Sequence, residues 1–272
     1  PRRQWTGYRL NETRTDGPGR HIMAPSFRQQ QILAVLEAQG KTGITELAEQ
    51  LQVSDETVRR DLKGLSADGL VEKFYGGVRL SSPKSEPPFE RRLRQAISEK
   101  EAIGRRASAH IREGATVMLD NSSTACFLAK ELARREPMTI LTISLEIAGI
   151  FASESGRHRV ILPPGEVRAH DRTLCGAGTI DYLRQFTPSY FVCSTVSGSP
   201  SGCQDFDLFE ADFKRAMISR AEEVIMLLDS SKYDRSGLIH VCDWRQIDVL
   251  VTDREPASID LKAEQCDLVL AE

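Results

Sequence analysis

Residues 44–63, I-T-E-L-A-E-Q-L-Q-V-S-D-E-T-V-R-R-D-L-K, constrain this chain more than any other stretch. Ile44, Leu47, Ala48 and Leu51 recur at helical spacing. Gln52-Val53-Ser54 then makes a three-residue turn, with Ser54 placed to cap a second helix. In that helix Val58, Leu62 and Leu65 form a buried stripe, and Glu56, Arg60 and Lys63 point away from it, flanked by Thr57 and Arg59. A short helix that hides three aliphatics and shows two arginines and a lysine suits a DNA groove. The rest of the chain must position this helix-turn-helix and control it.

The flanks complete a module over 25–80. Phe27, Ile32, Val35 and Leu36 predict a first helix ended by Gly40. Asp68-Gly69 is expected to end the recognition helix. In 70–80, Leu70, Phe74 and Val78 predict a β-hairpin with Gly76-Gly77 at its turn. Three helices plus a β-hairpin make a winged helix-turn-helix. The wing carries Lys73, Tyr75 and Arg79, a basic-aromatic set suited to the DNA backbone or minor groove. The net charge of −3 requires such local patches, because the chain as a whole is not a polycation.

Residues 1–24 hold five arginines, three glycines and two prolines without a periodic apolar face. They read as a disordered extension or an added leader, with Met23 a candidate start. Residues 81–98 are proline- and serine-rich and then strongly charged, which predicts an interdomain linker running into a helix. From 99 to 272 aliphatic runs at 115–120, 138–143, 158–162, 190–194, 223–229, 248–253 and 267–271 alternate with helical stretches. That pattern predicts an α/β domain with a mostly parallel sheet covered on both faces. Ligands of such sheets bind at the carboxyl ends of the strands. Small polar residues gather there, at 120–124, 142–144, 163–166, 193–198, 214–215 and 229–238.

No apolar run approaches a membrane span, and no apolar N-terminal core marks a secretory signal. The six cysteines form no C-x-x-C pair and have no histidine at zinc spacing. His110, His158, His170 and His240 are far apart in sequence, so neither a metal nor a cofactor is expected. Buried free thiols in a reducing cytoplasm fit this usage.

The run V-S-D-E-T-V-R-R-D-L-K-G-L-S-A-D-G-L-V-E-K-F-Y-G-G-V at 53–78 resembles the DeoR family of bacterial transcriptional regulators. The resemblance continues through E-K-x-A-I-G-R-x-A at 99–107, L-D-x-S-S-T at 119–124, E-x-x-x-K-R at 210–215 and D-S-S-K at 229–232. It implies that Thr57, Arg59 and Arg60 lie at the DNA. It also implies a multidomain chain whose sensor domain is similar in fold to ribose-5-phosphate isomerase and the CoA transferases, responding to phosphorylated sugars or sugar acids. Carried over by position, Asp120 would hold a sugar hydroxyl, Asn121, Ser122, Ser123 and Thr124 the acidic head, and Lys214 a positive charge.

With the other polar strand ends, the expected effector set adds Ser144, Gly165, Glu166, Ser194 and Lys232. Two departures from the family pattern predict a remodelled pocket: Leu162-Pro163-Pro164-Gly165-Glu166 for L-G-G-E, and Ser194-Thr195-Val196-Ser197 for a glycine-rich loop. The expected function is a DNA-binding regulator, in the repressor mode, of a carbohydrate-utilisation operon. Its expected partners are an operator duplex, a small anionic effector and further copies of itself. The alternative is a sugar-phosphate isomerase- or transferase-like enzyme with an appended domain, using Asp120, Glu166 or Glu210 as base and Lys214 to hold an anion.

Overall fold

A computed structural model describes residues 27–67, 70–74, 77–80, 86–153, 157–233 and 235–271. The expectations for 1–24, Asp68-Gly69 and Tyr75-Gly76 fall outside these residues. The chain divides into two compact units after Leu80.

The first unit runs α1 (Phe27–Gln39), β1 (Lys41–Thr42), α2 (Ile44–Leu51), α3 (Asp55–Ala67), β2 (Val71–Phe74) and β3 (Gly77–Leu80). Its core is Ile32, Leu36, Leu47, Ala48, Val58, Leu62, Leu65, Val71 and Val78. The helical members come from the predicted stripes; Val35, Ile44 and Leu51 of those stripes are partly buried against this core, and Phe27 is 77% exposed at the start of α1. Gly40 ends α1 in the left-handed region at φ +74°. Ser54 caps α3 by accepting the Thr57 N–H at 3.3 Å.

The hairpin joins a three-stranded antiparallel sheet ordered β1-β3-β2, because the short strand β1 pairs with β3. Phe74 pairs with Gly77, so Gly77, expected at the turn, is a strand residue. A Cβ on Gly77 would lie 2.6 Å from the Thr42 carbonyl oxygen, which accounts for the glycine at this strand crossing.

The second unit starts earlier than expected. Within the predicted linker, Phe89 and Arg92 of α4 (Phe89–Arg92) are buried, and Phe89 belongs to the main core. There follow α5 (Ile97–His110), β4 (Thr116–Leu119), α6 (Ser123–Leu132), β5 (Thr139–Thr142), α7 (Leu145–Ser153) and β6 (Arg159–Ile161). Next come β7 (Glu166–Arg168), β8 (Thr173–Cys175), α8 (Ala177–Leu183), β9 (Tyr190–Cys193), β10 (Ser197–Ser199), β11 (Gly202–Asp205) and α9 (Leu208–Ile218). The unit ends with β12 (Glu223–Leu228), β13 (Ile239–Cys242), β14 (Val249–Thr252) and β15 (Asp267–Leu270).

Seven strands form one sheet in the order β15-β14-β12-β9-β4-β5-β6, and every pair in it is parallel. These are the seven predicted runs. Side-chain alternation divides the core: Val117, Leu119, Val192, Ile225 and Leu227 face α5 and α6, while Met118, Phe191, Cys193, Met226 and Leu228 face Phe213 and Met217 of α9. Outside this sheet lie a β7-β8 hairpin and an antiparallel sheet ordered β10-β11-β13.

The strand order places β4 at a switch point. From β4 the chain proceeds outward through β5 and β6, then returns to β4's other side as β9 and continues through β12, β14 and β15. A crevice opens at the carboxyl ends of two such diverging strands, and this is where parallel sheets bind ligands.

Candidate nucleic-acid interface and effector cleft

The outer face of α3 is basic because its apolar residues are spent inward. Arg59, Arg60 and Lys63 are exposed, as is Glu56, while Thr57 is half-buried beside the Ser54 cap. No ion pair joins Arg59, Arg60 or Lys63 to another described residue. The neighbouring acid that could have neutralised them, Asp61, is buried and accepts a bond from Arg28 of α1 instead. On the wing, Lys73 and Arg79 are exposed, and Lys41 of β1 lies opposite Arg79. Tyr75, the remaining expected wing contact, lies outside the described residues.

In the second unit the switch point is tied shut at its base by Asp120, which is fully buried. Asp120 Oδ1 accepts the Ser122 N–H at 2.9 Å and Oδ2 accepts the Ser194 N–H at 2.8 Å. Val196 donates its N–H in the same way to Asp205 at 3.1 Å. Residues 194–197, where a glycine-rich loop was the family expectation, thus use backbone N–H groups to hold two aspartates.

Above Asp120 lies an acidic half. Lys214, on α9, is buried among Asp205 at 2.6 Å, Glu210 at 3.6 Å and Asp120 at 3.9 Å. Arg168 pairs with Asp171 at 2.5 Å, Glu210 at 2.5 Å and Asp207 at 3.0 Å. Asn121 donates to Thr173 and Glu210, each at 3.0 Å, and its Oδ1 has no partner although buried.

Burial penalises every charge here, and proximity decides which survive. Burial raises Asp205 to about 7, with Lys214 opposing and Glu210 adding to the rise. Glu210 is disfavoured by burial too, yet Lys214, the Asn121 amide, Arg92 and Arg168 bring it down to about 2. Burial also works against the Lys214 ammonium, but its three carboxylates outweigh this and raise its pKa. Lys214 therefore stays charged and serves to neutralise acids.

Beside this lies a basic half. Arg92 of α4 is buried, and its Nε has no hydrogen-bond partner. Lys100 of α5 donates to the Arg92 carbonyl at 2.5 Å and to Ser123 Oγ at 3.0 Å. Burial lowers Lys100 to about 8. Lys232 follows the β12 strand end, and its pKa is lowered by burial. The hydroxyl-bearing N-terminus of α6 at Ser122-Ser123-Thr124 lines the same slot and presents a positive dipole end.

The cleft has an inner slot and an outer chamber. The slot is lined by Ser122, Ser123, Thr124, Ser194, Lys214 and Lys232 of the expected set, together with Glu86, Arg92, Thr195, Asp205 and Glu210. The outer chamber, about 290 Å³, is bounded by Glu86, Pro87, Pro88, Arg92, Arg168 and Asp171 among others.

Several expected ligand contacts are placed elsewhere. Asp120 is spent on strand-end N–H groups, so Asp205 and Glu210 take its place as cleft carboxylates. Asn121 lies beneath the cleft. Ser144 is buried at the start of α7, where its Oγ accepts the Ile147 N–H. Gly165 packs against Thr179 and Cys175, and Glu166 is exposed on β7; the β7-β8 hairpin brings Arg168 and Asp171 to the cleft instead. Of the three alternative bases, Asp120 and Glu210 lie against Lys214, whereas Glu166 is exposed on β7. Arg92 and Lys100 were legible only as parts of a charge run and of E-K-x-A-I-G, and Arg168 and Asp171 carried no signal beyond sitting near a strand end.

A family model for the DeoR-like helix-turn-helix domain matches residues 28–84, and one for the DeoR C-terminal sensor domain matches residues 95–254. The chain belongs to the DeoR family. The HTH-type transcriptional repressor CsqR of Escherichia coli is 30% identical over 247 residues, covering 89% of this chain and 94% of that protein. The glycerol-3-phosphate regulon repressor of Escherichia coli is 30% identical over 236 residues, covering 86% of this chain and 93% of that protein. Among solved structures, ribose 5-phosphate isomerase A from Methanocaldococcus jannaschii aligns over 49% of this chain and 53% of its own, at 13% identity and a TM-score of 0.37, too distant to bear on the cleft.

Proposed function

We propose that this chain is a DNA-binding transcriptional regulator acting as a repressor of a carbohydrate-utilisation operon, switched by a phosphorylated sugar or sugar acid. The observation that carries this reading is the two-sided cleft at the strand switch point. Carboxylates on one side accept hydrogen bonds from hydroxyls; Arg92, Lys100, Lys232 and the α6 N-terminus on the other receive an acidic head. A polyol that ends in a phosphate or carboxylate matches both halves, whereas a neutral sugar leaves the cations unanswered. The regulators similar to this chain support the same reading, one being named for a glycerol-3-phosphate regulon.

Control requires that the effector bind the DNA-competent and DNA-incompetent states with different affinity. One helix-turn-helix makes few contacts, so a homodimer or higher oligomer spanning paired half-sites is the working form. A thermal-unfolding screen of the full chain against phosphorylated sugars, sugar acids and their neutral parents tests this. A ligand that binds only the folded state raises the melting temperature. The expected result is a rise with acidic polyols alone. Enzyme-like turnover of a sugar phosphate, or a rise with neutral sugars only, contradicts it.

A further inference from the structure

Glu86 sits where an acidic ligand group belongs. Its Oε1 lies 3.0 Å from Arg92 Nη1 and 3.9 Å from Lys232 Nζ, and its side chain lines both the inner slot and the outer chamber. With Glu86 in place the slot leaves about 10 Å³ free, roughly room for one water and far too little for a phosphate group. The single carboxylate also under-uses the cations around it. Arg92 Nε is buried without a partner, while Lys100, whose ammonium is held by the Arg92 carbonyl and Ser123, takes no bond from Glu86. A tetrahedral anion offers more acceptor oxygens than a carboxylate and can engage an arginine through two N–H groups at once.

We propose that Glu86 is an internal anion that competes with the effector's acidic group for the seat formed by Arg92 and Lys232, so that effector binding expels it. This rests on the reading of the cleft as the effector site. The consequence is directional. After Glu86 the chain is stiffened by Pro87-Pro88 and anchored by Phe89, which is 2% exposed. Expelling Glu86 therefore displaces a residue beside a fixed anchor, and Leu80, the last residue of the wing strand, is only six positions earlier in the sequence.

The test uses inorganic phosphate as probe and isothermal titration calorimetry on the full chain, at fixed pH and ionic strength. Glu86→Gln keeps the shape and removes the charge; Glu86→Asp keeps the charge; Lys232→Met removes part of the seat. Thermal unfolding checks that each variant is folded. The expected result is about tenfold tighter phosphate binding by E86Q, the scale of one part-buried ion pair, with E86D near the parent and K232M weakened. Equal or weaker binding by E86Q, with binding still lost in K232M, overturns the competition and leaves the seat standing. Phosphate binding by neither the parent nor E86Q, or binding indifferent to K232M, overturns the seat itself and the role of Glu86 with it.

Discussion

Asp120 and Ser194 meet across the switch point: the aspartate that follows β4 accepts, at 2.8 Å, the N–H of the residue that follows β9. The same carboxylate accepts the Ser122 N–H, so one buried side chain sets the start of α6 and the 194–197 loop together. Asp120→Ala leaves both N–H groups and part of the Lys214 charge unanswered in the interior. We expect a loss of about 2–4 kcal/mol, read as a lower urea midpoint with an unchanged slope. A change under about 0.5 kcal/mol, typical of a surface site, contradicts the role.

Gly104 separates packing from helix propensity. A Cβ there would lie 2.9 Å from the Phe127 carbonyl carbon and 3.0 Å from the Leu128 nitrogen, both backbone atoms of α6. Ala favours a helix over Gly by about 1 kcal/mol, but overpacking costs about 1–3 kcal/mol, and backbone cannot swing aside. Gly104→Ala is expected to lower the melting temperature. A higher one would show that α5 and α6 are not so close.

Lys100 is expected to give anion binding in the proposed cleft a pH dependence. Burial lowers its pKa to about 8, and its charged form is the one that attracts an anion. Phosphate affinity should therefore be full below that value and fall as pH rises through it. Bound anion favours the ammonium and moves the midpoint upward. Lys100→Met should flatten the profile between about pH 7 and 9; a profile unchanged in that variant assigns the titration to another group. Stability has a related slope. Because burial raises Asp205 to about 7, above its unfolded value of about 3.9, its contribution is present below the unfolded value. It is lost as pH rises toward 7.

The assignment of the α3 outer face to DNA is tested by salt. Removing Arg59 and Arg60 together should weaken DNA binding. The slope of log affinity against log salt should fall by about 0.9 for each phosphate that the protein no longer neutralises. An unchanged slope and affinity, measured by fluorescence anisotropy, would remove α3 from the interface.

Elements with a strong period were legible in the sequence. Val58, Leu62 and Leu65 announced α3, and the seven aliphatic runs announced the whole parallel sheet, because its inner strands are buried on both faces and must be apolar. Two antiparallel strands were silent: Ser197–Ser199 and Gly202–Asp205 are largely buried yet built mostly of small and polar residues, and pairing rather than composition makes them strands. The cleft was half legible. Ser122-Ser123-Thr124, Ser194 and Lys232 are local polar signals at strand ends. Arg92 was hidden in a charge run, and its burial depends on Phe89 packing into a core built from residues far along the chain. Lys214 looked like a ligand cation because sequence does not show that Asp120, Asp205 and Glu210 close around it.

The most direct measurement of the central claim joins the two units. A duplex selected by the full chain from a random library is titrated by anisotropy, with and without the acidic polyol that most raises the melting temperature. The expected result is specific binding that the ligand weakens by about tenfold or more, a coupling of about 1.4 kcal/mol. Saturable ligand binding that leaves DNA affinity unchanged, or the absence of any selected sequence, would contradict it.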